Sequence, residues 1–311
     1  MSLNWKDLEE ILDEPIAYRF IDKVERLSGN VAEAIKLVST QDWYFTMHFP
    51  GNPVVPGVFL LEMMKQTAIV VLRSLDFCFD RTGLFECERF RIFQEVRPGD
   101  IVRIVVRLER ITDGMICFTG EIFCKNSSTM QNERICVGRF SLYNGSVCCN
   151  SVVEEKICIN ETNVCMVEYS DIEKYIEDPM PYRFIDKINI KPNEYAEAKK
   201  YISSQDWYFD EGYNYHKIVQ DALLIEMLMQ PGVLIKNVAE QKKRLTMLNG
   251  CRNLIIYSRP VPGDVLRTFV YLKRYKNGVG DYLSVAKVND SIIATMEFTF
   301  VMPEEMISVN R

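Results

Sequence analysis

An α+β fold of two like halves, each a curled antiparallel sheet wrapped around one long helix, is predicted by three observations. The chain repeats itself at a fixed offset, each repeat holds a single long helix that is apolar on almost every face, and each ends in alternating β-rich runs. Pro15 to Val24 reads PIAYRFIDKV, and Pro179 to Ile188 reads PMPYRFIDKI. Ser39 to Phe45 reads STQDWYF, against SSQDWYF at Ser203 to Phe209, and Pro98-Gly99-Asp100 recurs as Pro262-Gly263-Asp264. All three pairs share an offset of 164 residues, so about 85 residues align with no net insertion. A unit this long that occurs twice is a duplicated domain, not a solenoid.

Within each half the elements run in the same order. A short helix comes first, Trp5–Leu12 and Asp171–Ile176, with apolar residues at roughly helical spacing. An extended segment with aromatics and then a loop lead into the long helix, Val58 to about Leu75 and Ala222 to about Glu240. Strands complete each half: Ile101–Leu108, Met115–Cys124 and Arg134–Tyr143, then Val265–Leu272, Tyr282–Val288 and Ile292–Val301. Pro-Gly-Asp is the turn before the first of each set. The register breaks late, where KNSSTMQN in the first half is replaced by a shorter hairpin near Val288-Asn289-Asp290. In a soluble protein, VFLLEMMKQTAIVVL must be buried on nearly all sides. A single sheet achieves that by curling round the helix, which is the hot-dog fold, so the chain is read as a double hot-dog. The expected boundaries are 1–145 for the first domain, 146–168 for a linker and 169–311 for the second domain.

Composition narrows the function. The 311 residues suffice for two domains with their own cores, and 48% hydrophobic with 26% charged residues is a globular composition. A net charge of −6 argues against general affinity for nucleic acid. The ten cysteines include no Cys-x-x-Cys pair; Cys148, Cys149, Cys158 and Cys165 lack zinc-site spacing, so neither metal nor cofactor is expected. The N-terminus is not signal-like and no apolar run reaches about eighteen residues, so a cytoplasmic protein with reduced thiols and no membrane association is expected.

The chemistry concentrates in His48 to Gln66, HFPGNPVVPGVFLLEMMKQ. It joins a histidine, a loop shaped by two glycines and three prolines, and an apolar helix that carries Glu62. A histidine near neutrality suits a base, and a carboxyl desolvated among Val58, Leu60, Leu61, Met63 and Met64 retains its proton and suits an acid. Gln66 lies one turn on and is positioned to orient that carboxyl. The unpaired N–H groups at the helix start suit a carbonyl oxygen.

This stretch resembles the bacterial 3-hydroxyacyl-acyl-carrier-protein dehydratases, whose signature is HFPGxPxxPG and then a glutamate fourteen residues after the histidine in an ExxxQ helix. Here 62 minus 48 is fourteen, and Glu62 and Gln66 form the ExxxQ. Trp43-Tyr44-Phe45, Arg89-Phe90-Arg91 and VRPGD at Val96 to Asp100 extend the resemblance over most of the first repeat. It implies dehydration of a 3-hydroxyacyl thioester by a base for the α-proton, an acid for the departing hydroxyl and a donor for the carbonyl. It also implies acyl carrier protein as the partner, in fatty-acid or polyketide synthesis, and a homo-oligomer is open.

The second repeat departs from the pattern. Adding 164 to 48 gives Gly212, so the equivalent histidine is missing, whereas Glu226 and Gln230 repeat Glu62 and Gln66. Gly57 becomes Asp221, and Pro53 and Pro56 become Lys217 and Gln220. In the family, as the resemblance implies, each site takes its histidine from one hot-dog and its carboxylate from the neighbour. That pairs His48 with Glu226, assisted by Gly57 and Gln230, and leaves a degenerate second site of Glu62 and Gly212. Dehydratase domains of polyketide synthases pair a first-half histidine with a second-half acid in a similar way. The carbonyl-binding amide belongs to Gly57, or to Asp221 if the helix that donates the acid also donates the amide.

Other features read as structure first. His216 falls opposite Asn52, off register, and reads as a surface loop residue. Arg89, Arg91, Arg97, Arg103, Arg107 and Arg110, echoed by Lys273, Arg274 and Lys276, read as solvated strand faces, with docking of an acidic carrier protein as the alternative. Met63, Met64, Met227 and Met229 read as core filling before a tunnel lining. The competing functions are a thioesterase, against which His48 argues, and a non-catalytic acyl-binding or scaffold subunit.

Overall fold

The computed structural model describes residues 1–12, 14, 16–77, 85–112, 114–125, 132–143, 164–209 and 218–308, with side chains to 305. In the first half, helix α1 (Trp5–Ile11) precedes strands β1 (Lys23–Ser28) and β2 (Val31–Leu37). A 3-10 turn at Trp43–Thr46 leads to the central helix α2 (Gly57–Ser74), followed by β3 (Phe85–Ile92), β4 (Ile101–Thr112), β5 (Met115–Lys125) and β6 (Asn132–Tyr143). The second half opens with β7 (Cys165–Val167), the short helix α3 (Tyr169–Ile172), β8 (Lys187–Lys191) and β9 (Tyr195–Tyr201). A 3-10 turn at Trp207–Phe209 precedes α4 (Asp221–Ala239), then β10 (Met247–Ile256), β11 (Val265–Lys276), β12 (Val279–Val288), β13 (Ser291–Val301) and α5 (Pro303–Ser308).

The strands form one antiparallel sheet in the order β1-β2-β4-β5-β6-β3-β10-β13-β12-β11-β9-β8-β7. The halves meet edge to edge where β3 pairs with β10. Across this seam Cys87 faces Leu254 and Phe90 faces Cys251. Since 87 and 90 plus 164 are 251 and 254, the join has the self-complementary register of a two-fold dimer within one chain. The double hot-dog is the observed fold. Of the expected linker, only residues 164–168 are described, and Cys165–Val167 add a strand beside β8. The tip of the longer first-half hairpin lies outside the described residues. Its counterpart turns on Asn289 and Asp290, with φ of 49° and 65°, the left-handed pair that a two-residue hairpin loop needs.

The helices owe their burial to the sheet. α2 packs on β2, β4 and β5, and α4 on β9, β11 and β12. Gly120 and Gly138 pair across β5 and β6, and a Cβ on either would meet Met64 Sδ at 2.7 or 3.0 Å, so these glycines let α2 lie close to the sheet. By length and hydropathy α4 would pass for a membrane span, but 89% of its apolar window is buried inside the fold, as for a core helix. Pro231 interrupts α4 and removes one helical donor; one residue from the carbonyl it leaves, Ser284 Oγ donates to Leu228 O at 2.8 Å.

Gln66 and Gln230 clamp the repeated aromatic segment of each half to its helix. Phe20 N donates to Gln66 Oε1 at 2.8 Å and Gln66 Nε2 donates to Tyr18 O at 2.6 Å. Phe184 N, Gln230 and Tyr182 O repeat the arrangement at 2.8 Å each. The two glutamines are therefore tied to backbone, which corrects the expectation that they orient the glutamates directly. Between the halves Trp43 and Trp207 stack edge-on with centroids 5.1 Å apart.

Candidate active site

His48 sits in the loop between the 3-10 turn at Trp43–Thr46 and α2. Its own N–H donates to Tyr44 O at 2.8 Å, and Val54 N donates to His48 O at 3.1 Å. Asn52 N closes a turn on Phe49 O at 2.9 Å, with Gly51 between them at φ 78°, a conformation that favours glycine. Val55 N reaches Val96 O at 2.9 Å and Arg97 donates to Asn52 Oδ1 at 2.8 Å, which pins the loop to the segment after β3.

These contacts fix the ring as well as the backbone. His48 Nδ1 lies 3.0 Å from Val54 O. A carbonyl only accepts, so Nδ1 carries the hydrogen and Nε2 is left with a lone pair. The ring stacks on Phe49 at 3.9 Å and meets Tyr182 edge-on at 6.0 Å. Burial lowers its pKa to about 4, so it is neutral at pH 7.

Glu226 projects from α4 of the other half. It is 7% exposed and lines the same cavity as His48, which has a volume of about 220 Å³. Burial first, then the nearby Asp178 carboxyl, raise its pKa to about 8, against an opposing interaction with Tyr182. Tyr182 thus stands beside the carboxyl, and its ring meets that of His48 edge-on. Gly57, at the start of α2, lines this cavity too. A Cβ there would come 2.7 Å from Ile92 Cδ1 and 3.2 Å from Leu248 Cδ2, so glycine keeps the helix start open. Leu60, Met229 and Val233 supply apolar wall. Met229 therefore lines the cavity, whereas Met63, Met64 and Met227 lie in the core.

Four residues expected from sequence to act together, His48, Gly57, Glu226 and Gln230, line one cavity built across both halves. Asp221 does not; it belongs to the mirror position, where the structure differs in kind. There Lys65 Nζ lies 2.6 Å from Asp221 and 3.4 Å from Glu62, and Arg259 Nε lies 2.7 Å from Asp221. Adding 164 identifies the counterparts: Asp221 stands for Gly57, Arg259 for Glu95, and Lys65 for Met229. Burial opposes the charge on Asp221, but Arg259 and Lys65 outweigh it and hold its carboxyl well below the usual carboxylate range. Glu62 is raised, by burial first, with Lys65 opposing and Asp221 and Glu14 adding. A helix start open to a ligand on one side is occupied by a buried ion network on the other. Gly212 and His216 lie outside the described residues.

Sequence reasoning missed Asp178 and Tyr182. Tyr182 was visible in the repeated YRFIDK motif, and Asp178 only as an acid at the same offset from Glu14. Of the basic run, Arg97 pairs with Glu95, Arg103 lies 3.4 Å from Glu33, and Arg91 lies over Phe93 at the cavity wall.

A model of the FabA-like domain matches residues 13–133, which include the His48 loop and α2 but not Glu226. The 3-hydroxyacyl-[acyl-carrier-protein] dehydratase FabZ of Latilactobacillus sakei subsp. sakei (strain 23K) is 42% identical over 113 residues, 36% of this chain and 81% of that protein. FabZ of Moorella thermoacetica is 35% identical over 111 residues, 35% of this chain and 78% of that protein. Among solved structures, the dehydratase domain of RzxB from Pseudomonas fluorescens matches with a TM-score of 0.64 at 11% identity, over 91% of this chain and 98% of that one. The dehydratase domain from the CurF module of curacin polyketide synthase matches with 0.63 at 11%, over the same shares. At that identity the likeness is one of fold.

Proposed function

Because the chain belongs to the 3-hydroxyacyl-[acyl-carrier-protein] dehydratase family, we propose that it removes water from a 3-hydroxyacyl thioester on acyl carrier protein to give the trans-2-enoyl thioester. The observation that carries this reading is the meeting of His48 and Glu226, from opposite halves, in one cavity. His48 Nε2 takes the α-proton. Glu226 gives its proton to the β-hydroxyl, which leaves as water as the C–H and C–O bonds break and the double bond forms. The free N–H groups at the start of α2, beginning with Gly57, hold the thioester carbonyl, whose oxygen gains charge on the way. Gln230 keeps Tyr182 in place against both groups, and the apolar wall receives the acyl chain. The working unit is the whole chain, with the expected halves 1–145 and 169–311 and a connecting segment 146–168 whose strand Cys165–Val167 joins the sheet of the second half. A cytoplasmic setting belongs to the same proposal.

The test is turnover of carrier-bound 3-hydroxyacyl substrates of several chain lengths. The wild type should form trans-2-enoyl product, and His48→Ala should slow it at least ~100-fold, the scale of a lost general base. Release of free acid would make the protein a thioesterase, and no turnover at any length would make it an acyl-binding subunit.

A further inference from the structure

Resting on that reading, we propose that Asp178 is a positioning residue for the reaction, the second carboxyl of a pair that keeps the Glu226 proton in place until the hydroxyl departs. Asp178 lies after α3, is 8% exposed and lines the cavity beside Glu226. Its hydrogen bonding is poor for a buried carboxyl. Oδ2 receives Gln230 Nε2 at a long 3.5 Å, and Oδ1 is buried with no partner among the described residues. Gln230 gives its better bond, 2.8 Å, to Tyr182 O. A structural aspartate in this fold looks different: Asp186 accepts from Tyr201 N at 2.7 Å and from Lys200 at 3.3 Å. Burying a carboxyl without such partners costs stability, so its presence against the acid calls for a use.

The duplication supplies the comparison. The counterparts of Asp178 and Glu226 are Glu14 and Glu62, also two acids whose charges act on each other. There Lys65 stands beside Glu62 and supplies a cation. The residue at that position in the other half is Met229, so among the described residues no cation stands at that place beside Glu226. The titratable groups facing Asp178 are Glu177, Lys243, Glu226 and Tyr182; Lys243 is taken by Glu177 at 3.4 Å, and Tyr182 is held neutral by burial. Burial first, then Glu177, raise Asp178 to about 7 against Lys243, while burial and Asp178 raise Glu226 to about 8. Two buried carboxyls in this state release their last proton reluctantly, and the pair titrates as a unit. Asp178 makes and breaks no bond; its charge holds the proton where the substrate needs it.

The experiment is the pH profile of kcat/KM for wild type, Asp178→Asn, Asp178→Ser and Asp178→Glu, with Glu226→Gln alongside. Removing a like charge lowers the pKa of its neighbour. The alkaline limb should therefore move down by about one pH unit in Asp178→Asn and Asp178→Ser, with the acid limb unmoved. Asp178→Glu should return it toward the wild-type position. A uniform loss of kcat with both limbs in place would make Asp178 structural and overturn the proposal, as would failure of both neutral variants to fold. If Glu226→Gln retains activity, the catalytic reading itself fails, a different result from an unmoved limb.

Discussion

Burial drives His48 and Glu226 in opposite directions on the pH scale, and in the proposed mechanism that opposition lets one serve as base and the other as acid at the same pH. The neutral imidazole is favoured above about 4 and the protonated carboxyl below about 8. A profile of kcat/KM against pH should rise with a midpoint near 4, stay level, and fall with a midpoint near 8. Glu226 also weakens the fold. Its folded pKa of about 8 lies above the ordinary 4.5, so the native state binds the proton more tightly and wild-type stability declines as pH rises between those values. Glu226→Gln should match wild type near pH 4.5 and exceed it by on the order of 2 kcal/mol above pH 8, read by urea denaturation at both pH values. His48 was legible from its ten-residue loop motif, and Glu226 from the offset together with the cross-half pairing that the family resemblance implies. Asp178 was not, because no local pattern marks a residue whose neighbour is 48 positions away in sequence and adjacent only in the fold.

At the scale of elements, the two central helices began as copies and now differ most at their starts. α2 opens on Gly57 against a cavity, and α4 opens on Asp221 in a network with Lys65, Arg259 and Glu62. A buried network of this kind is costly to break, because removing one partner strands the others. Lys65→Met, which installs the residue found at position 229, should lower stability by about 3 kcal/mol in denaturant titration and leave kcat of the folded protein unchanged. Helix α2 and strands β4 to β6 followed from periodicity and turn chemistry to within a few residues. The strands that join the halves were harder. β3 reads FECERFRI, with exposed Glu88, Arg89 and Arg91 where its outer face meets water, and only the resemblance marked it as a strand. Nothing local in β3 or β10 specifies that each pairs with the other.

The molecule as a whole is one continuous sheet with a cavity at its pseudo-two-fold seam, and neither half alone contains both the base and the acid of the proposed site. The seam is held by the β3–β10 ladder and by Trp43 against Trp207, so the distance between His48 and Glu226 is set by the same contacts that hold the halves together. The repeat carries a second acid, Glu62; the offset counterpart of His48 is Gly212, and beside Glu62 lies the Lys65–Asp221–Arg259 network. The cross-half pairing is tested most directly by single-turnover dehydration of carrier-bound substrate by Glu226→Gln and Glu62→Gln. The expected result is that Glu226→Gln loses at least ~100-fold in rate while Glu62→Gln keeps the wild-type rate. Loss of activity in Glu62→Gln with Glu226→Gln unimpaired would contradict it, and would return both catalytic groups to the first half.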